Sequence, residues 1–194
     1  MTTDAIASNA SMAIEFARDI LGSELSVAAS VLFASIAHGG KIAVFAGRGR
    51  LNTAEAFVSG ANESFSPYTG QMSAIRVGRD QTLAEALGSA RCAAAEFEAV
   101  VSSSDALLIS IGPFTSTEDG SLSLLEAAKQ RKIPTVIVSE DGAAENLGLI
   151  PLLDRTTDAV IETPSCGNKL AQQVQEAFIF NALLGSMDAM RQGV

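Results

Sequence analysis

Lys41-Ile42-Ala43-Val44-Phe45-Ala46-Gly47-Arg48-Gly49-Arg50-Leu51-Asn52-Thr53-Ala54-Glu55 is the stretch that decides the fold. Its first six residues are a short, mostly apolar run, which reads as a buried strand. Gly47-Arg48-Gly49-Arg50 breaks that run. Asn52 is a good helix N-cap, and Glu55 stands three residues on, as in a capping box. Strand, glycine turn and helix in that order open a βαβ unit.

Upstream, Ile6, Ala10, Ala13, Ala17 and Leu21 recur at helical spacing, and so do Leu25, Ala28, Leu32 and Ile36. Residues 1–40 are therefore expected to form a helical pair, closed by Gly39-Gly40. Its apolar faces suggest a subunit interface. Downstream, strands are expected at 72–77, 106–110, 134–139 and 159–162, with helices over 82–100, 122–131 and 168–192. The strands are continuously apolar and alternate with helices, which argues for a parallel sheet covered on both faces. Repeats and linkers are absent, so residues 41–194 read as one α/β core and 1–194 as one domain.

The 194 residues carry a net charge of −9, which argues against a large nucleic-acid-binding face. Against that background Arg48 and Arg50 are conspicuous. No signal-peptide pattern and no membrane-spanning run is read, so the cytoplasm is the expected location. Cys92 and Cys166 have no metal spacing; reduced thiols are expected, with a single disulfide as the alternative.

Ligands of a doubly wound sheet sit beyond the carboxyl ends of its strands. Two loops stand there. Residues 47–53 offer Gly47, Arg48, Gly49, Arg50 and Asn52: free backbone N–H groups, a helix start and two guanidinium groups, all suited to an anion. Residues 110–121 offer Ser110, Thr115, Ser116, Thr117 and Ser121, whose hydroxyls suit a phosphate. Glycine for turn geometry and serine or threonine for helix capping are the plainer readings of each loop taken alone.

The string Gly39-Gly40-Lys41-Ile42-Ala43-Val44-Phe45-Ala46-Gly47-Arg48-Gly49 resembles the opening of a sugar isomerase (SIS) domain. Asp105-Ala106-Leu107-Leu108-Ile109-Ser110, then Leu125-Glu126-Ala127-Ala128-Lys129 and Pro134-Thr135-Val136-Ile137-Val138, resemble its second half. Asp158-Ala159-Val160-Ile161-Glu162-Thr163-Pro164 and Gln175-Glu176-Ala177-Phe178 resemble its last strand and helix. The resemblance spans essentially the whole chain. The paired N-terminal helices point to the branch of sedoheptulose 7-phosphate (phosphoheptose) isomerase and its non-catalytic relative that binds the replication initiator.

That resemblance implies a three-layer, flavodoxin-like fold with a five-stranded, mainly parallel sheet. It implies a sugar-phosphate ligand and a homodimer or homotetramer with sites near subunit interfaces. A replication-initiator partner enters by the resemblance alone. The departures are specific. Arg48 replaces an Asn of the family's first loop, and Arg50 stands at its phosphate-binding Ser. Of the compact second loop only Ser110 matches. The early His and Glu of the isomerase's first helix are missing from Ala56-Phe57-Val58-Ser59-Gly60. Gln175 and Glu176 are kept, but Phe178 takes the place of the last helix's His.

Aldose–ketose isomerisation needs a base and an acid. Glu176 is the best carboxylate candidate. His38, the single histidine, suits a helix C-terminus, although the family recruits histidines across interfaces. One His with scattered carboxylates makes no zinc site, and no cofactor is expected. The expected function is phosphosugar binding, sensing or regulatory, without the usual His/Glu pair. The alternative is a sugar-phosphate isomerase with rearranged catalytic groups. A dinucleotide binder is a third reading, from Gly47-x-Gly49 and Arg79, but Asn52 stands where a third glycine belongs.

Overall fold

The computed structural model describes residues 22–47, 50–63, 65–66, 70–78, 88–113, 115–116, 119–165 and 169–193. The first expected helix, within 1–21, lies outside them, as do Arg48, Gly49, Thr117 and residues 79–87.

Helix α1 (Gly22–Ala37) leads into strand β1 (Ile42–Ala46), and α2 (Leu51–Glu63) follows the glycine loop. A short antiparallel hairpin, β2 (Phe65–Ser66) and β3 (Gly70–Gln71), precedes β4 (Ala74–Arg76). Then come α3 (Ser89–Val100), β5 (Ala106–Ser110), α4 (Ser121–Gln130) and β6 (Thr135–Glu140). After a one-turn helix α5 (Ala143–Asn146) and a 3₁₀ turn (Ile150–Leu152), β7 (Ala159–Thr163) and the long α6 (Lys169–Gln192) complete the chain.

The main sheet has the order β4-β1-β5-β6-β7, and every pairing in it is parallel. Connection direction reverses between β1 and β5, the topological switch point of a flavodoxin-like order. Side chains alternate across the strands. Ile42, Val44, Leu108, Val136, Val138 and Ile161 face the layer of α1, α2 and α6. Ala43, Phe45, Leu107, Ile109 and Ile137 face α3, α4 and α5. These central strands are therefore apolar on both faces, as their sequence requires.

The apolar stripe of α1 is spent inside the molecule. Leu25, Ala28 and Leu32 are buried against the sheet and α6, with Ile36 packed at the edge. Burial of a leucine such as Leu32 contributes about 1.5–3 kcal/mol. Within residues 22–37 that stripe packs inside one copy of the chain, while Val27 on the same helix stays exposed. Phe57 of α2 and Phe180 of α6 meet edge-to-face, centroids 5.3 Å apart, and tie the two helices together.

The capping box at Asn52 and Glu55 does not form. Helix α2 starts at Leu51, and the Arg50 carbonyl accepts from Ala54 N–H at 3.2 Å, so Asn52 lies exposed within the first turn. Glu55 instead pairs with Arg76 at the end of β4. No described helix is long and apolar enough to cross a membrane.

Candidate functional site

The two loops at the switch point start side by side because the β1–β5 ladder runs on past the strands: Gly47 N–H donates to Ser110 O at 2.8 Å. The loop after β5 then folds onto the loop after β1. Thr115 Oγ1 accepts from Gly112 N–H at 3.0 Å. A Cβ on Gly47 would stand 2.4 Å from that same hydroxyl oxygen, so only glycine allows this approach.

Arg50 is 7% exposed, and its guanidinium lies in the crevice between the loops. Nη2 donates to Glu140 Oε2 at the end of β6. Nη1 stands 3.4 Å from Glu176 Oε1 on α6. Glu176 Oε1 also accepts from Ser110 Oγ, and its Oε2 accepts from Thr53 Oγ1 at 2.6 Å. Gln172, one turn before Glu176 on α6, donates to Glu140 Oε1 at 2.7 Å. The network is thus one guanidinium shared by two buried carboxylates. Burial pushes the Glu140 carboxyl above its ordinary value, against the pull of Arg50 and Gln172, and the nearby Glu176 and Asp141 add to the upward push.

Arg50 has room because Gly112 has no side chain. A Cβ there would meet Arg50 Nε and Nη2 at 2.8 Å. Gly112→Ala is therefore expected to displace the guanidinium from Glu140 and to destabilise the fold by about 1–3 kcal/mol, measured by thermal unfolding.

The anticipated residues divide clearly. Gly47, Arg50, Ser110, Thr115 and Glu176 are brought together, and Gln175 is buried beside Glu176 on α6. Ser116 is exposed on the second loop, where its N–H donates to Asp119 Oδ2 at 3.1 Å. His38 stands at the opposite, amino-terminal end of the strands. There it lines a recess with Ser35, Ser104 and Pro134, and its Nδ1 is 2.6 Å from the Ala34 carbonyl. A carbonyl only accepts, so Nδ1 carries the proton. Within one copy of the chain His38 and Glu176 are not neighbours.

Thr53, Glu140 and Gln172 escaped the sequence reading. The signal for Glu140 was an acid closing the apolar run 134–138, at a strand end of the kind that faces ligands. Thr53 and Gln172 carry no such signal. Ser121, the first residue of α4, has a fully buried hydroxyl with no hydrogen-bond partner. It sits where the first N–H groups of α4 also lack partners within the helix. Among the described residues no group of three or more His, Cys, Asp or Glu is placed to hold a metal ion.

Neither a protein-family model nor a curated protein matches the chain. Solved structures do. A phosphoheptose isomerase from Francisella tularensis is similar with a TM-score of 0.78 and 22% identity, over 97% of this chain and 99% of that one. A phosphoheptose isomerase from Neisseria gonorrhoeae is similar with a TM-score of 0.76 and 16% identity, over 94% of both chains. The sugar isomerase domain of an RpiR transcription factor from Sphaerobacter thermophilus gives a TM-score of 0.60 and 14% identity, over 97% of this chain and 87% of that one. At these identities the likeness is one of fold: the chain has the sugar isomerase domain fold, most similar among these three to the phosphoheptose isomerases.

Proposed function

We propose that the chain is a phosphosugar-binding domain of sensing or regulatory role, without acid–base catalysis. The observation that carries this reading is the arrangement at the switch point. Ser110, Thr53 and Arg50 converge as donors on a single buried anionic group, and the loop that leaves Ser110 leads into α4, whose first residue, Ser121, has an unsatisfied buried hydroxyl. Hydroxyls, a guanidinium and a helix N-terminus together are the chemistry that holds a phosphate. The sugar would extend toward Gln175 and α6. No metal or cofactor enters this reading.

Catalysis is left out because the early His and Glu of the isomerase that the chain resembles are missing from Ala56-Phe57-Val58-Ser59-Gly60, and Phe178 takes the place of the last helix's His. The alternative, an isomerase with rearranged groups, draws on the close placing of Glu140 and Glu176 around Arg50, with burial raising the Glu140 carboxyl above its ordinary value.

Titration and turnover assays with heptose, hexose and pentose phosphates separate the two. Binding without isomerisation is expected. Turnover that Glu176→Gln abolishes would overturn the binding-only reading. The same reading places the chain in the cytoplasm as a homodimer or homotetramer, with Val27 (54% exposed) and Leu51 (45% exposed) as apolar side chains for a second copy to cover.

A further inference from the structure

The donors at the switch point already hold an anion, and it belongs to the protein. The Glu176 carboxylate, only 3% exposed, receives Ser110 Oγ, Thr53 Oγ1 and Arg50 Nη1. These are donors that a phosphate at this site would use. With Arg50 also paired to Glu140, the cluster holds one cation against two carboxylates among the described residues. A phosphate arriving beside it would add negative charge to a buried site that already has an excess, and burial makes such an excess costly.

The two carboxylates are not held alike. Glu140 takes the direct guanidinium hydrogen bond, and Gln172 fixes its other oxygen. Glu176 has the longer approach to Arg50, at 3.4 Å, and otherwise two hydroxyls, which can rotate to another acceptor. Glu140 is therefore the fixed partner of Arg50, and Glu176 the exchangeable one.

We propose that Glu176 is an internal competitor for the site's anion donors, so that a phosphorylated ligand engages Ser110, Thr53 and Arg50 only by displacing the Glu176 carboxylate. This rests on the phosphosugar-binding reading and adds its regulation. The site would be closed by its own side chain, and affinity would be set by the difference between two anions competing for the same donors. Arg50 keeps Glu140 throughout, which leaves a neutral pair under the incoming phosphate.

The test is titration calorimetry of the full chain and two variants with inorganic phosphate and with heptose, hexose and pentose phosphates. Glu176→Gln keeps the side chain's shape and removes its charge. It is expected to bind roughly 10- to 100-fold tighter than the unaltered chain, the range carried by one charge-assisted hydrogen bond. Glu140→Gln leaves the competitor in place and is expected to gain clearly less. In the unaltered chain, the Glu176 carboxyl carbon resonance is expected to shift on saturation with the tightest of these probes, a readout that needs no variant to fold. Equal or weaker binding by Glu176→Gln, an equal gain from Glu140→Gln, or an unmoved Glu176 resonance at saturation overturns the competitor role and leaves the phosphosugar reading standing. Absence of binding by the unaltered chain and by both folded variants overturns the phosphosugar reading, and this inference with it.

Discussion

Replacing Arg50 by alanine is expected to lower the unfolding free energy by about 3–5 kcal/mol near neutral pH, the cost of leaving a buried charge without its partner. The expectation follows from the site's imbalance. Glu140 and Glu176 are buried within reach of one guanidinium, and nothing else cationic among the described contacts meets them. The loss should depend on pH. Burial already holds the Glu140 carboxyl above its ordinary value, and Arg50 is the main force opposing it. Without Arg50 that carboxyl rises further. An acid raised in the folded state contributes stability that is present below its unfolded pKa and lost as pH rises through the folded one. The deficit of Arg50→Ala should therefore be smaller at about pH 5 than at about pH 7.5. Adding Glu140→Gln should recover part of it, because one of the stranded charges is gone. Urea unfolding of the single and double variants across this range measures both effects. A loss below about 1 kcal/mol, typical of an exposed pair, would contradict the buried network.

The second large effect is expected at the other end of the sheet, with the opposite pH sign. Asp105 stands immediately before β5 and joins it to the start of β1. Its Oδ1 accepts from Lys41 N–H at 2.8 Å. Its Oδ2 accepts from Ser102 N–H at 2.8 Å and Lys41 Nζ at 2.9 Å. Burial works against the ionised form, but the Ser102 amide and the ammonium and amide of Lys41 more than offset it and hold the carboxyl below its ordinary value. Asp105→Ala strands two backbone N–H groups and should cost about 3 kcal/mol near neutral pH. A carboxyl lowered in the folded state contributes stability above its unfolded pKa and loses it as pH falls through the folded one. The curves of the unaltered chain and Asp105→Ala should therefore converge in acid, measured by urea unfolding from about pH 3 to about pH 7.5. Parallel curves would show that the carboxylate's charge does not contribute.

Much of the fold was legible because its signals are local. The runs 41–46, 106–110, 134–139 and 159–162 are mostly apolar, bounded by turn residues and separated by helical periods, and each became a parallel strand within a residue or two. The alternation placed both loops at one end of the sheet, and the switch point between β1 and β5 set them side by side. The paired strands Phe65–Ser66 and Gly70–Gln71 escaped because two-residue strands carry no period. The capping box at Asn52 and Glu55 failed because tertiary partners outbid a local one: Arg50 is anchored through its side chain, its carbonyl opens the helix, and Glu55 turns to Arg76.

The site was half legible for the same reason. The composition of Gly47-Arg48-Gly49-Arg50 announced a place for an anion. Composition does not say whose anion it is. Arg50 and Glu140 are separated by 90 positions, and Ser110 and Glu176 by 66. Only the folded molecule, with α6 packed against α1 and α2, shows that a carboxylate of the chain stands among the donors. The likeness to phosphoheptose isomerases, at 22% identity or below, carries the architecture and leaves that chemistry to this chain's own residues.

A phosphorylated sugar is expected to bind at the carboxyl ends of β1 and β5. A crystal structure of the chain saturated with the tightest-binding sugar phosphate tests it most directly. The expected result is a phosphate between residues 47–53 and 110–121, within hydrogen-bond reach of the first turn of α4 and the Ser121 hydroxyl. A sugar phosphate bound elsewhere, with Arg50, Glu140 and Glu176 undisturbed and the switch point empty, would contradict it.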